Sequence, residues 1–272
     1  MNQELREDHI TKKTVVYRIS RMDAVTVMRD LEYRTVEGGA LTMDVYYPPE
    51  ARSGDRRPAV VSVAGYPDPG MQRMFGCKFK DWGSSTSWAR LIAASGLVAV
   101  NYSNREPVND VQALVEHLRE NAPSLGIDRE RIALLASSGH GPLALSVLMD
   151  DRADPALRCA VLLCPFTMDV DGFTALAEAA KTFRFVNPTS GRSVSDLPRA
   201  TPLFVVRAGQ DQMPGLNETL DRFVAKAMAG NLPVTLIHHA DAPHAFDLVH
   251  DSEVSREIVR EALAFMSFHL RA

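Results

Sequence analysis

Short runs of apolar residues recur along the whole chain, and they restrict the possible folds more than any other feature of the sequence. A run of about five residues without alternation is typical of a strand buried on both faces of a sheet. A β-rich segment at 41–47 comes first, and later runs are separated by stretches whose apolar residues have helical spacing. This alternation predicts an α/β fold whose mostly parallel sheet is covered on both faces. The predicted buried strands cover residues 59–64, 97–102, 132–136, 159–164, 202–206 and 234–237.

The helical stretches and the connections between them predict one domain. Apolar stripes lie within 108–118, 220–228 and 254–266, and nothing in the sequence marks a second domain. We therefore expect a single domain over 30–272, with residues 1–29 as an N-terminal arm or an extra element. Two connections are longer than usual, the loop 66–88 and a lid-like insertion at 166–200. Their aromatic and methionine side chains either pack beneath these loops or line a pocket over the strand ends.

Composition excludes several classes of partner. The formal net charge is −4 and the pI is about 6.1, which gives no reason to expect nucleic acid or an anionic membrane surface. The first thirteen residues are polar, and no stretch has the roughly 18 consecutive apolar residues of a membrane helix. Cys77, Cys159 and Cys164 form no C-x-x-C pair, so we expect neither a disulfide framework nor a structural zinc site. A cytoplasmic location is the default expectation.

A serine at a predicted strand-to-helix turn is the candidate nucleophile. Residues 132–141 read I-A-L-L-A-S-S-G-H-G, which is an imperfect G-x-S-x-G pattern with Ala136 and His140 in the glycine positions. Such a turn exposes the serine Oγ at the carboxyl edge of the sheet. The alternative is that Ser137 and Ser138 only cap the following helix. Ser138 is the better candidate nucleophile because an acid and a base follow it in the expected order.

Asp211 and His244 are the candidate acid and base. Asp211 follows the strand 202–206, and His244 follows the strand 234–237, so the chain order is Ser, Asp, His. A neutral imidazole can take the serine proton, and a carboxylate behind it fixes its tautomer. His238 and His239 are rivals to His244. A metal site formed by His238, His239, Asp241 and His244 is a weaker alternative, because these residues lack a zincin-type spacing.

Two backbone amides are candidates for an oxyanion hole. One is the Gly139 N–H, directly after the nucleophile. The other should come from the loop after the strand 59–64, where Pro67 has no N–H and Tyr66 is therefore preferred. The Tyr66 hydroxyl is an alternative contact for the substrate. The predicted pocket residues are Tyr66, His140, Trp82, Trp88 and Phe166.

Residues 41–270 resemble the serine α/β-hydrolase superfamily, in its bacterial esterase and dienelactone-hydrolase-like group. The similar segments are V-N-Y at 100–102, V-N-D-V at 108–111, L-G-I-D at 125–128 followed by R-I-A-L at 131–134, and A-P-H-A-F-D at 242–247. The resemblance implies a doubly wound sheet of about eight strands, a triad of Ser138, Asp211 and His244, and no cofactor or metal. The chain differs from many relatives at His140 and in having A-G-Y-P at 64–67, where His-Gly-Gly is common.

The expected activity is hydrolysis of a small or medium carboxylic ester or lactone through an acyl-serine. The expected partner is this small-molecule substrate, and a homodimer is possible. A small peptidase of the prolyl-oligopeptidase type is one alternative. It is weaker because such peptidases usually carry an extra propeller domain, for which this chain leaves no room. A catalytically silent binding protein is the other, because the turn around His140 and the loop at 64–67 are unusual.

Overall fold

The computed structural model describes residues 9–150 and 156–271, and its centre is one eight-stranded sheet. The strand order is β1-β2-β4-β3-β5-β6-β7-β8. The first two strands pair antiparallel with each other, β2 also runs antiparallel to β4, and all remaining pairs are parallel. This confirms the predicted mostly parallel sheet. The strands are β1 (Thr26–Val36), β2 (Gly39–Tyr47), β3 (Arg57–Ser62), β4 (Val98–Tyr102), β5 (Ile127–Ser137), β6 (Leu157–Leu163), β7 (Leu203–Ala208) and β8 (Val234–His239).

Helices cover both faces of the sheet. Successive residues of a strand point to opposite faces, so Val61 packs in the cluster with α3, α4 and α6, while Val60 packs in the cluster with α2 and α8. The central strands are therefore apolar on both sides, as the unbroken apolar runs predicted. The helices are α1 (Asp68–Phe75), α2 (Gly83–Ala94), α3 (Pro107–Glu120), α4 (Gly141–Leu148), α5 (Ala175–Phe183), α6 (Leu216–Ala229), α7 (Phe246–Val249) and α8 (Glu253–His269).

The N-terminal segment is part of the domain. The Val15 N–H donates to Ser87 Oγ on α2 (2.9 Å), and the Val16 N–H donates to the carbonyl of Asp247 on α7 (2.8 Å). The strand β1 begins at Thr26, so the predicted boundary between residues 29 and 30 is wrong because it falls inside a paired strand. Residues 1–8 of the predicted arm lie outside the described residues.

Both long connections contain helices. The loop 66–88 holds α1, a 3₁₀ turn at Phe79–Asp81 and the start of α2, and the insertion 166–200 holds α5. A buried ion pair between Lys80 Nζ and Asp44 Oδ2 (3.0 Å) fastens the 3₁₀ turn to β2. Within the described ranges, none of the helices has the length and hydropathy that a membrane crossing requires.

Candidate active site

The turn between β5 and α4 holds Ser138 in an unusual backbone conformation. The strand ends at Ser137, Ser138 has a φ of 50°, and α4 begins at Gly141 after one 3₁₀ turn. A left-handed φ is uncommon for a residue with a side chain, and such strain is concentrated at functional sites. The turn places Ser138 at the carboxyl edge of the sheet, where its side chain lines a cavity.

Close packing explains why a glycine follows Ser138. A Cβ atom at Gly139 would lie 2.5 Å from the Tyr66 hydroxyl and 2.6 Å from Cδ1 of Phe185. Any larger residue would push both aromatic rings away. The Tyr66 hydroxyl therefore lies against the backbone that follows the serine.

Asp211 and His244 are brought together by the loops after β7 and β8. Nδ1 of His244 lies 2.7 Å from Oδ2 of Asp211, while Oδ1 accepts the Met213 N–H at 2.9 Å. The Asp211 side chain is fully buried, and that of His244 is 28% exposed. Because a carboxylate only accepts hydrogen bonds, Nδ1 carries the ring hydrogen and Nε2 is the nitrogen available as a base. His244 lines the same cavity as Ser138.

His140 fixes the loop that carries Tyr66. The Gly65 N–H donates to Nδ1 of His140 at 2.7 Å. This amide is therefore engaged, and the next one along the chain belongs to Tyr66. Among the described residues, neither the Tyr66 N–H nor the Gly139 N–H has a hydrogen-bond acceptor. Two free amides in this position can stabilise a developing oxyanion.

The imidazole of His140 is buried and neutral. Its ring packs against Tyr66 at 5.0 Å and against Phe79 at 4.3 Å between centroids. Burial lowers the pKa of His140 from 6.5 to about 3. Nδ1 is an acceptor toward Gly65, so the ring hydrogen lies on Nε2. His140 thus has a structural contact with the loop, and it does not serve as a base near neutral pH.

A cavity of about 360 Å³ connects these groups. Four of the predicted pocket residues line it, namely Tyr66, His140, Trp82 and Trp88. The fifth prediction, Phe166, is wrong. Phe166 is fully buried in a small cluster with Leu176, Phe185 and Leu216, because the chain after β6 turns toward α5 and α6. The further apolar lining residues are Ile10, Val63, Met71, Met74, Phe75, Phe79, Leu135, Ala136, Leu163, Phe183, Ala245 and Leu248.

The rival histidines, His238 and His239, are not among the residues that line the cavity with Ser138. His239 is buried with Nε2 3.1 Å from Ser255 Oγ, and His238 is exposed at the end of β8. Within residues 9–150 and 156–271, the cluster with metal-ligand spacing is instead Cys164, Asp211 and His244. Burial raises the pKa of the Cys164 thiol.

Sequence reasoning missed four polar residues of the cavity, namely Ser62, Ser84, Ser85 and Asp247. Asp247 lines it three residues after His244, and its fully buried carboxyl accepts the Trp88 Nε1–H at 2.8 Å. Ser62 lines it at the end of β3. The signal for Ser62 was present, since it is the one polar residue within the apolar run 59–64.

Comparisons with known proteins show the fold. No protein-family model matches the chain, and no curated protein sequence is significantly similar to it. A thermophilic esterase from the Planctomycetes species Thermogutta terrifontis superposes with a TM-score of 0.64 at 19% identity, over 91% of this chain and 93% of that chain. Esterase B from Lactobacillus rhamnosis gives 0.68 at 16% identity, over 93% and 89% of the two chains. Vibralactone cyclase gives 0.68 at 18% identity, over 94% and 82%. The sheet order and these superpositions show that the chain has the α/β-hydrolase fold.

Proposed function

We propose that this protein is a serine hydrolase that cleaves small or medium carboxylic esters or lactones. One observation carries the proposal: the hydrogen-bonded pair of His244 and Asp211 opens onto the same cavity as Ser138, whose backbone is strained. A serine hydroxyl is a weak nucleophile at neutral pH, and it needs an adjacent base to attack a carbonyl. The arrangement supplies such a base with its tautomer already fixed.

The proposed reaction has two halves. Ser138 Oγ attacks the ester carbonyl while Nε2 of His244 takes the hydroxyl proton, and the same proton then passes to the leaving alcohol. Water next attacks the acyl-serine, again with His244 as the base. Asp211 stabilises the imidazolium in both halves. The N–H groups of Tyr66 and Gly139 donate to the oxyanion, and loss of one such donor costs about 2.7–4 kcal/mol in similar enzymes.

The cavity supports an uncharged and largely apolar substrate. Its walls are mostly aromatic, leucine and methionine side chains, and its volume lies within the range of small-molecule sites. The structural neighbours include esterases, which supports an ester as the substrate. The Thermogutta terrifontis esterase has been described with bound propionate and in a form phosphonylated by sarin.

The test is covalent labelling combined with turnover. A fluorophosphonate probe should modify Ser138, as mapped by mass spectrometry. Ser138→Ala should abolish labelling and lower the rate of p-nitrophenyl acetate hydrolysis by about a million-fold, as in other serine hydrolases that lose the nucleophile. Ser137→Ala is the matched control, because it removes the neighbouring hydroxyl and should keep both. Full turnover in the Ser138→Ala variant would refute the proposal.

A further inference from the structure

One wall of the cavity is polar, although the rest is apolar. We call it the polar wall and define it by Ser62, Trp82, Ser85 and Asp247, which all line the cavity. None of them takes part in the reaction proposed above. A polar group inside an apolar site is expensive unless it is hydrogen-bonded, so this set requires an explanation.

The members of the polar wall are held together by β3, β4 and α2. Val61 pairs with Val100 in the parallel register, so Ser62 lies beside Asn101 on the next position. Nδ2 of Asn101 donates to the Ser85 carbonyl at 3.0 Å, which places the start of α2 over these two strands. One turn along α2, the Trp88 indole donates to the Asp247 carboxyl.

Several polar atoms in this region have no hydrogen-bond partner among the described residues. They are Ser62 Oγ, Ser85 Oγ, Trp82 Nε1 and, directly behind the wall, Asn101 Oδ1. Ser85 is 5% exposed and Ser62 is 9% exposed, so bulk water does not solvate them freely. Trp82 Nε1 is a donor, Asn101 Oδ1 is an acceptor, and the two serine hydroxyls can act as either.

We propose that the polar wall binds a hydroxyl group of the substrate, so that the preferred substrates are esters of hydroxy acids. This inference rests on the proposed ester hydrolysis. A hydroxyl donates and accepts at once, and it therefore satisfies a mixed set of this kind. A carboxylate only accepts hydrogen bonds, and none of the four wall residues carries a positive charge that would balance it. An ammonium group only donates hydrogen bonds, so it would leave the Trp82 Nε1–H unpaired.

The position of the wall places this hydroxyl away from the reacting carbonyl. Ser62 pairs with Leu135 on β5, three residues before Ser138. At a strand rise of about 3.3 Å per residue, Ser137 at the end of β5 lies about 7 Å beyond Leu135, and Ser138 follows it in the turn. The hydroxyl thus belongs several bonds away from the ester carbon, near the far end of a short acyl chain.

The test compares two esters with equal numbers of heavy atoms, ethyl 6-hydroxyhexanoate and ethyl heptanoate. We expect the wild-type protein to prefer the hydroxy ester by about tenfold or more in kcat/KM, because the methyl analogue leaves the buried groups unpaired. The double variant Ser62→Ala with Ser85→Ala should bring the ratio close to one. Ser95→Ala, at the opposite end of α2 and outside the cavity, should keep the wild-type ratio.

A binding measurement keeps the inference separate from the proposed activity. Calorimetry with heptanamide and 6-hydroxyhexanamide needs no turnover. The wild-type protein should bind the hydroxy amide more tightly than heptanamide, whereas the double variant should bind the two amides equally. Equal binding of the two amides, or a wild-type preference for ethyl heptanoate, overturns the inference even if Ser138-dependent hydrolysis is found. A stronger response to the 6-amino ester than to the hydroxy ester also overturns it, since this assigns the wall to a cation.

Discussion

Replacing His140 with asparagine separates the hydrogen bond of this side chain from its titration. Oδ1 of an asparagine can take the position of Nδ1 and accept the Gly65 N–H, whereas an amide binds no proton in the accessible pH range. In the native protein the ring is fully buried, and burial is the cause that lowers its pKa to about 3. The unfolded chain exposes the same ring, with a pKa near 6.5.

The sign and size of the effect follow from proton linkage. Between pH 6.5 and 3 the unfolded chain binds a proton at His140 that the folded chain does not, so the free energy of unfolding falls as the pH is lowered. The stability that comes from keeping His140 neutral is fully present above the pKa of the unfolded chain and is lost as the pH falls below it. With these two pKa values, acidification from pH 7 to pH 5 lowers the free energy of unfolding by about 2 kcal/mol. The His140→Asn variant should lack this loss.

The assay is urea denaturation at several pH values, followed through the fluorescence of Trp82 and Trp88. The other titratable groups are common to both proteins, so the difference between the two pH profiles isolates His140. The variant is expected to start from a lower stability at pH 7, because it fills less of the space beside Phe79. Parallel profiles for the two proteins between pH 7 and 5 would show that the folded ring binds a proton, and the reasoning would then be wrong.

Three further predictions concern groups that position the site. Lys80→Met should destabilise the fold by about 3 kcal/mol in urea denaturation, since it removes the buried cation that faces Asp44. Adding Asp44→Asn to this variant should restore part of the lost stability. Gly209→Ala should lower stability and turnover together, because a Cβ atom there would lie 2.2 Å from the Ala240 carbonyl; an unchanged melting temperature would contradict this. Asp211→Asn should reduce kcat by about 10⁴ with little loss of stability, measured on p-nitrophenyl acetate.

The sequence predicted the sheet well because the central strands are apolar on both faces. It did not resolve β1, which lies at the edge of the sheet. Arg29, Asp30, Glu32 and Arg34 leave this strand without an unbroken apolar run, and two irregularities in its pairing with β2 shift the alternation of its faces. The boundary of the domain was misplaced for the same reason.

The site was predictable where chain order determines position, and unpredictable where packing determines it. Asp211 and His244 follow neighbouring parallel strands, so their loops meet at one edge of the sheet. The direction of the His140 ring depends on an amide 75 residues earlier, and no local pattern carries that information. Phe166 was misplaced because the course of the chain after β6 is set by contacts with α5 and α6. A homodimer and a cytoplasmic location stay predictions.

The segment before β1 has a consequence for how substrate preference can change. Ile10 forms part of the cavity lining, and the amides of Val15 and Val16 bind the segment to α2 and to α7. This piece of chain contributes a side chain to the pocket without supplying a strand to the sheet. Exchange of this segment between homologous proteins should therefore change substrate selectivity while leaving the strands of the sheet and the reacting groups untouched.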